Sequence, residues 1–389
     1  MHSSWVVALL AALLVGCASR APLRVATSGD YPPFSAVTAD GQRTGLDVAI
    51  AERLADDLDL ELTWMPLAWP DLDAATARGD FDVALSGVTM RADRALVGRY
   101  ARPYALTEAV LVVRPADAGR WRTLGELDQT GSRVAVNAGG HLERVARQAL
   151  RRATVVPIAG NRLVAALADA SVDAIVTDTA ELAAWPADQP RPGVLGRFGI
   201  DHKAPLLPAD RAPLAARVDA WLMAREADGW LDAERVRALG PSATLDAAGA
   251  ARQAVAALIR LRMALMPDVA AAKRTAGLPI EDREQEARVL TRVRAQVPSA
   301  PQRAAAVYAQ LIEMAKRAQR EAPARAGEGP SLDTVRAALG RIDEALCAEL
   351  DQLPVSTAPA WRAALEQTGA GRVEIGQLAL ALASPLTPQ

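Results

Sequence analysis

The sequence has few cysteines, few lysines and little net charge, and each shortage excludes a class of protein. Its two cysteines are Cys17 and Cys347, and Cys347 has no partner for a disulfide, so no disulfide framework is expected. A formal net charge of −2 leaves no electrostatic footprint for nucleic acid. Lysine accounts for only three of the 44 basic residues. With 389 residues, 51% of them hydrophobic, the chain is long enough for two or three domains.

The N-terminus predicts export. Residues 5–15 form an apolar run that is too short to span a bilayer but has the length of a signal-peptide core. The run ends in Leu-Val-Gly-Cys, which resembles a lipoprotein processing box. We therefore expect residues 1–17 to direct export to the periplasm, with a lipid anchor on Cys17 as the only membrane contact. The alternative is a soluble periplasmic protein cleaved after Ala18 or Ala21.

Residues 23–240 alternate between short apolar runs and amphipathic stretches. The predicted strands are LRVAT, ELTWM, DVALSGV, AVLVVR, RVAVN, TVVPI and DAIVTD, and the predicted helices cover residues 46–58, 71–78, 142–151, 161–170 and 212–225. Such alternation predicts a parallel-sheet α/β architecture. Residues 79–86 and 170–177 repeat one pattern, a small-residue turn, an aspartate and an apolar strand ending in a hydroxyl. This repeat predicts two similar lobes around a shared crevice.

The crevice is expected to hold carboxylates. Ser86, Thr89 and Arg94 follow the strand of the first lobe, and the segment Asn137-Ala138-Gly139-Gly140-His141 opens a helix in the second lobe. Backbone amides at a helix start, together with a guanidinium across the crevice, suit a carboxylate. A Gly-Gly pair alone is more often a tight turn.

These segments resemble known families. LRVATSGDYPPFS, GLDVAIAERLA and GDFDVALSGVT resemble the polar amino-acid periplasmic binding proteins, which implies the type II two-lobed fold. AWPDL, VNAGGHLERVARQAL, TDTAEL and KAPLLP resemble the periplasmic cyclohexadienyl dehydratases. That resemblance implies conversion of prephenate to phenylpyruvate, or of arogenate to phenylalanine, with Glu181 as the general acid. The alternative for Glu181 is a surface residue in the first turn of a helix, where the dipole favours it.

The same resemblance implies a substrate-binding set. Arg94, Ser86, Thr89 and the Gly139 and Gly140 amides would bind carboxylates, and Asp178 would contact the amino group of arogenate. The remaining members of the set are Asp30, Trp69, Asn137, His141 and Lys203. His141 and Pro205 depart from the family pattern and put ligand preference in doubt.

Residues 245–389 are predicted to be wholly helical, with stretches at 245–274, 282–297, 300–322, 331–350 and 358–367. Arg262 and Lys273 are eleven residues apart, which would place both on one helix face roughly 16 Å apart along the axis. Two such cations can bracket a small dicarboxylate. The alternative is two solvated charges on an amphipathic helix.

The words RMALMPDVAAAKRTAGLPIED resemble the secreted, all-helical chorismate mutases, which act without a cofactor or metal. The resemblance implies that Lys273 and Gln319 bind the ether oxygen, that Arg262 and Arg336 bind carboxylates and that Glu286 binds the ring hydroxyl. Asp282 is a lesser site residue. The family places an arginine where Gln285 stands, so mutase activity is expected to survive in weakened form, with Arg288 as a compensating cation.

The two halves together predict a bifunctional exported enzyme, because the product of the mutase is the substrate of the dehydratase. Its partners would be chorismate, prephenate and arogenate, and a homodimer through the mutase domain is implied by the family. The alternative is a solute-binding module for an amino acid or aromatic metabolite joined to a chorismate mutase. Glu181 distinguishes the two, because a binding module has no need of a general acid.

Overall fold

The computed structural model describes residues 20–159, 162–323, 329–353, 357–366 and 371–383. The predictions for residues 1–17, including lipidation of Cys17, lie outside these ranges. Within them, no helix combines the length and the apolarity needed to cross a bilayer.

The first lobe is built on a five-stranded mixed sheet. Its strands in spatial order are β5 (Leu60–Pro66), β1 (Ala21–Thr27), β6 (Val83–Ala84), β13 (Leu206–Pro208) and β7 (Gly98–Tyr100). Strand β1 is parallel to β5 and β6, whereas β13 is antiparallel to β6 and β7. A small antiparallel sheet beside it comprises β2 (Asp30–Tyr31), β3 (Ser35–Val37) and β4 (Arg43–Thr44).

The second lobe repeats this plan. Its strands in spatial order are β10 (Thr154–Ile158), β9 (Arg133–Asn137), β11 (Ala174–Asp178), β8 (Ala105–Val113) and β12 (Gly193–Lys203). Strand β9 is parallel to its neighbours, but β8 is antiparallel to β11 and β12. The predicted parallel pairing holds for β1 with β5 and β6 and for β9 with β10 and β11, but both sheets are mixed, because the chain returns between lobes through short links that reverse its direction. Residues 101–104 form the first link and residues 204–205 the second.

The helices of the front domain cover the two sheets. They are α1 (Leu46–Asp57), α2 (Leu72–Arg78), α3 (Ala92–Val97), α4 (Leu124–Leu127), α5 (His141–Ala149), α6 (Leu163–Ala168), α7 (Thr179–Ala183), α8 (Ala212–Ala227) and α9 (Trp230–Leu239). All five predicted helices are present. The repeated pattern is also structural, since Gly79 and Ala170 both adopt positive φ, 72° and 60°, before β6 and β11.

The second half of the described chain is helical. Its helices are α10 (Ala247–Ala264), α11 (Met266–Thr275), α12 (Arg283–Gln296), α13 (Pro301–Glu321), α14 (Leu332–Gln352), α15 (Ala358–Leu365) and α16 (Arg372–Ala383). The single helix predicted over residues 245–274 is wrong. It divides at Leu265, because Pro267 cannot donate the backbone hydrogen bond that a continuous helix requires there.

The helical bundle and the first lobe share one hydrophobic core. Leu72, Phe81 and Val88 of the first lobe belong to the same contiguous buried cluster as Leu258 and Ile259 of α10. The second lobe has separate clusters on the two faces of its sheet. The bundle is therefore packed against one lobe of the front domain, and burial of apolar area holds the two together.

Candidate active sites

The front cavity lies between the two lobes. Its wall is formed by Asp30, Tyr31, Trp69, Gly87, Thr89, Arg94, Asn137, Ala138, Gly140, His141, Leu142, Ile158 and Lys203. Eight of these thirteen residues belong to the predicted binding set. Four predicted residues, Ser86, Gly139, Asp178 and Glu181, are not on the wall. Sequence reasoning missed Tyr31, although it directly follows Asp30 in the SGDYPPF segment.

The two lobes are in contact around this cavity. A Cβ added to Gly139 would lie 2.7 Å from Pro70 Cγ of the first lobe, so only glycine allows this approach. Arg144 of the second lobe bonds Asp93 of the first at 2.5 Å. The Gly139 N–H donates to Glu143 at 2.8 Å and is therefore not presented to a ligand. The structure gives Gly139 a packing position and leaves Gly140 on the wall.

The first lobe supplies a buried cation. Arg94 is 2% exposed, and it donates from Nη1 to the Thr89 carbonyl at 3.1 Å and from Nε to Asp73 at 3.2 Å. Burial lowers the pKa of Arg94, but a guanidinium remains charged at neutral pH. Ser86 lies beneath the wall, where its Oγ accepts from the Ser28 N–H at 3.0 Å. Trp69 donates to Asp30 at 3.2 Å and orients that side of the cavity.

A buried charged cluster links the lobes. Lys203 Nζ donates to Thr89 Oγ1 at 3.0 Å and to Tyr31 Oη at 3.1 Å, and it lies 3.6 Å from Asp178 Oδ2. The Tyr31 hydroxyl donates to Asp178 across the crevice. Asp178 also accepts from the Glu181 N–H at 2.9 Å, which caps α7. Polar groups buried this deeply are expected to be paired, and the cluster satisfies that requirement.

Glu181 is the carboxyl group of this cluster whose pKa is raised. Burial, followed by repulsion from Asp178, raises the pKa of Glu181 to about 8, although the Thr177 hydroxyl donates to it at 2.5 Å. Such a carboxyl carries a proton at neutral pH and can donate it. A surface glutamate at a helix start would have no such shift, so the geometry favours the general-acid interpretation. That role remains a prediction.

His141 faces the cavity from the start of α5. Its Nε2 lies 2.8 Å from Asp201 Oδ1, and its Nδ1 is buried without a protein hydrogen-bond partner. Burial lowers the pKa of His141 despite the nearby carboxylate. Burial alone would raise the pKa of Asp201, but its bond to His141 outweighs that and lowers it. A neutral imidazole and the Asn137 side-chain oxygen, which also lacks a protein partner, are thus offered to a ligand.

The second cavity is enclosed by α10, α11, α12, α13 and α14 and has a volume of about 330 Å³. All six predicted mutase residues lie on its wall, namely Arg262, Lys273, Asp282, Glu286, Gln319 and Arg336. Because the helix breaks at Leu265, Arg262 and Lys273 lie on two helices and not on one face of a single helix. Both cations nevertheless face the same cavity. The cavity thus brings together what the sequence separates by more than seventy residues.

A buried aspartate orders two cations of this cavity. Asp343 is 5% exposed, accepts from Arg262 Nε at 3.0 Å and lies 3.2 Å from Arg292 Nη2. The Tyr308 hydroxyl also donates to it at 3.1 Å. Arg262 Nη1 has no protein partner, so it is free for a substrate oxygen. Sequence reasoning missed Asp343 and Arg292. An aspartate between the apolar Ile342 and Leu346 is the signal that could have found the former.

The polar ends of the other predicted wall residues are held to different extents. Lys273 Nζ donates to the Ile280 carbonyl at 2.9 Å, and partial burial lowers its pKa. Glu286 is 3.3 Å from Lys316. Gln319 Oε1 is buried without a protein partner. Asp282 caps α12 by accepting from the Gln285 N–H at 2.9 Å.

Arg288 does not compensate for Gln285 in the way expected. Gln285 Oε1 accepts from Arg288 at 3.1 and 3.0 Å, and Glu284 lies 2.8 Å from the same guanidinium. Arg288 is thereby held on the helix surface and is not on the cavity wall. Arg292, one turn further along α12, is on that wall.

Two family profiles match this chain, one over the domain that contains the front cavity and one over helices that line the second cavity. The profile described as bacterial extracellular solute-binding proteins, family 3, matches residues 23–237, which is more than half of the chain. The chain belongs to this family. A second profile, chorismate mutase type II, matches residues 253–320 and so covers α10 to α13 but not α14.

Individual relatives of this family-3 protein divide into a dehydratase and binding proteins. The cyclohexadienyl dehydratase of Pseudomonas aeruginosa is 34% identical over 220 residues, which span 54% of this chain and 79% of the relative. The L-cystine-binding protein TcyJ of Escherichia coli K12 is 31% identical over 129 residues, 33% of this chain and 48% of the relative. A crystal structure of an ancestral amino acid-binding protein, described as a precursor of cyclohexadienyl dehydratase, shares 27% identity and a TM-score of 0.53 and covers 56% of this chain and 95% of its own.

These matches establish a two-lobed type II binding-protein fold followed by a helical chorismate mutase region. The front domain is a homologue of cyclohexadienyl dehydratase, as its motifs predicted. Among the residues that the structure describes, no group of three or more His, Cys, Asp or Glu side chains is arranged to hold a metal ion.

Proposed function

We propose that this protein is a bifunctional exported enzyme that converts chorismate to prephenate and then prephenate to phenylpyruvate, arogenate to phenylalanine, or both. The observation that carries the proposal is the position of Glu181, half-buried behind the wall of a cationic crevice, where burial and Asp178 raise its pKa to about 8, on a homologue of cyclohexadienyl dehydratase. A module that only binds solutes does not need a proton donor. The chorismate mutase match on the same chain supplies the preceding reaction.

In the mutase cavity, catalysis rests on conformation and charge. Arg262 and Arg336 would bind the two carboxylates of chorismate and hold the compact conformer in which the reacting carbons approach each other. The ether oxygen gains negative charge as its bond to carbon breaks. The Lys273 ammonium and the Gln319 amide would stabilise that charge, while Glu286 binds the ring hydroxyl. Asp282 keeps the start of α12 in place. The reaction is intramolecular and exchanges no proton with the protein.

Arg292 would take the role of the arginine that the chorismate mutase family has at the position of Gln285. It is the cation of α12 on the cavity wall, and its pairing with Asp343 fixes it beside Arg262. Removing it should raise the KM for chorismate by roughly tenfold or more, since a hydrogen bond to a charged group contributes about 1.5–3 kcal/mol. Introducing Gln285→Arg should then restore part of the affinity. If the Arg292→Gln variant binds chorismate as the wild type does, the assignment is wrong.

In the front cavity, Arg94, Thr89 and the Gly140 amide would hold the substrate carboxylates, with Ser86 supporting the wall from beneath. Glu181 would donate its proton to the departing ring hydroxyl, which leaves as water. The electrons of the bond to the ring carboxylate complete the aromatic ring as CO2 departs. Lys203 would hold the side chains of Asp178 and Tyr31 in position during this step. Asp178 is the candidate contact for the amino group of arogenate.

Further members of the predicted set complete the cavity. Asp30, Trp69, Asn137 and His141 lie on the wall and would shape the site around the ring. Gly139 would act through its close approach to Pro70, which allows the lobes to shut over the substrate. Closure excludes water and maintains the raised pKa of the acid.

The family of the protein supports export, and its membrane anchoring and its assembly are further parts of the proposal. Family-3 proteins are extracellular solute-binding proteins, which supports export. We further propose processing at residue 17 with a lipid anchor on Cys17, domains spanning residues 23–240 and 245–389, and a homodimer formed through the mutase domain. A Cys17→Ser variant should move from the membrane to the soluble fraction. Sedimentation of the soluble protein should give twice the monomer mass.

The deciding experiment supplies chorismate alone to the protein lacking residues 1–17. Appearance of phenylpyruvate above the slow spontaneous rate at neutral pH would support both activities. Accumulation of prephenate would instead make the front domain a binding module and leave the mutase standing. Unchanged chorismate would point to Gln285 as a disabling substitution, and supplying prephenate directly would then test the front domain alone.

A further inference from the structure

Strand β12 is shared between the front cavity and the mutase domain. Arg260 of α10 donates from Nη1 to the Ile200 carbonyl at 2.7 Å and from Nη2 to His202 Nδ1 at 3.2 Å. Gln253, two turns earlier on the same helix, lies 3.0 Å from His202 Nε2 through its Oε1. Because arginine can only donate, Nδ1 of His202 accepts and Nε2–H donates to Gln253. These contacts define one tautomer of a buried neutral histidine.

The other face of β12 serves the front cavity. Side chains alternate along a strand, so Asp201 and Lys203 point away from the face that carries His202. Asp201 holds His141 at 2.8 Å, and Lys203 bonds Thr89 and Tyr31. A backbone shift at residues 200–203 would therefore displace two contacts of the front cavity at once.

A second mutase arginine holds the opposite wall. Arg341 of α14 donates from Nη2 to the Ala95 carbonyl at 2.9 Å and from Nε to the Gly98 carbonyl at 3.1 Å. These carbonyls lie at the end of α3, directly after Arg94, where a cation is favourable to the helix. Arg341 thus fixes the short helix from which the buried carboxylate-binding candidate projects.

We propose that Arg260 and Arg341 of the mutase domain are positioning residues of the dehydratase site. Neither lines the front cavity or the mutase cavity. Arg341 holds the backbone next to Arg94, and Arg260 holds the Ile200 carbonyl and the His202 side chain on the strand that carries Lys203. The docked mutase therefore sets the geometry in which Lys203 and Arg94 meet the substrate. The inference rests on the proposed dehydratase function and explains why the two domains share a core.

The test uses Arg260→Gln and Arg341→Gln in the protein lacking residues 1–17, with Glu344→Gln as the matched control. Glu344 also bridges the domains, 3.5 Å from Arg99, but its side chain is 60% exposed and its partner is on neither wall. We expect each arginine variant to lose roughly ten- to a hundredfold in kcat/KM for prephenate, because a misplacement of about 1 Å has that effect. Arg341→Gln should act mainly on KM and Arg260→Gln mainly on kcat. Arg260→Lys should recover part of the loss.

Chorismate turnover by the same preparations is the internal control, and it should be unchanged. The proposal is overturned if both variants convert prephenate as Glu344→Gln does. It is equally overturned if both activities and the melting temperature fall together, because the arginines would then serve only docking and stability. Prephenate affinity measured by calorimetry separates this from a failure of the proposed function. If the wild type binds prephenate without converting it, Arg341→Gln should still weaken binding, and unchanged binding would overturn the inference.

Discussion

Replacing Glu181 by glutamine removes the proposed proton donor while keeping the shape of a protonated carboxyl. General acids contribute roughly 10²- to 10⁴-fold to turnover, so kcat for prephenate should fall by that factor. Binding of prephenate should change little, because the amide still accepts from the Thr177 hydroxyl. The matched control is Glu126→Gln, an exposed glutamate in the first turn of α4, which should leave turnover unchanged.

The pH dependence of dehydratase turnover is a second test of the general-acid role of Glu181. With a pKa of about 8, close to nine-tenths of Glu181 carries its proton at pH 7. Dehydratase turnover should therefore be level up to about pH 7 and fall about tenfold per unit well above pH 8. A profile that falls near pH 4.5, the ordinary value for glutamate, would show that the carboxyl is solvated in the working enzyme and would refute the reasoning.

The raised pKa of Glu181 also predicts how the stability of the folded protein depends on pH. The folded pKa of Glu181 is raised above its unfolded value, so ionisation disfavours the folded state as pH rises from about 4.5 through about 8. Glutamine cannot ionise beside Asp178. The Glu181→Gln variant should therefore melt above the wild type at pH 9 and close to it at pH 5, measured by calorimetry. A variant that melts lower at both values would mean that its lost activity reflects damaged folding.

Other changes test the second domain and the core. Lys273→Gln should lower kcat for chorismate by roughly 10²- to 10³-fold, the effect of removing one group that stabilises a developing charge, while prephenate turnover stays unchanged. Gln285→Arg should raise kcat/KM for chorismate, and an unchanged value in steady-state assays would contradict the view that Gln285 weakens the mutase. Trp361→Ala, at a side chain with 0% exposure, should destabilise the bundle by about 3–5 kcal/mol in denaturant unfolding, whereas substitution of the exposed Val373 by alanine should not.

The sequence predicts most of the fold because the local signals agree with the final packing. Leu46, Ile50 and Leu54 recur at helical spacing, and all three are buried on one face of α1. It fails where a strand lacks a clear period. Strand β12 contains Gly193, Gly196 and Gly199, and its pairing with β8 shifts register twice, so no alternation of apolar and polar residues marks it.

Site residues divide in the same way. Arg262, Lys273 and Gln319 belong to local motifs and could be found from the sequence, and each lies on the cavity wall. Asp343 and Arg292 could not, because their meaning depends on a contact between α12 and α14 that spans 51 positions. A local motif indicates which side chains line the cavity, but the residues that hold those side chains are fixed by tertiary packing.

The dependence on tertiary packing is strongest at β12, because this strand makes contacts with both the mutase domain and the front cavity. Ile200 and His202 bind the mutase helix, while Asp201 and Lys203 bind the front cavity. Neither pair can move without the other, since the strand backbone is common to both. If the front domain were separated from the helical bundle, the apolar surface that packs against Leu258 would be exposed to water. His202 would at the same time lose its hydrogen bonds to Arg260 and Gln253. The joining of the two domains is therefore part of the geometry of the front cavity, beyond bringing two successive reactions onto one chain.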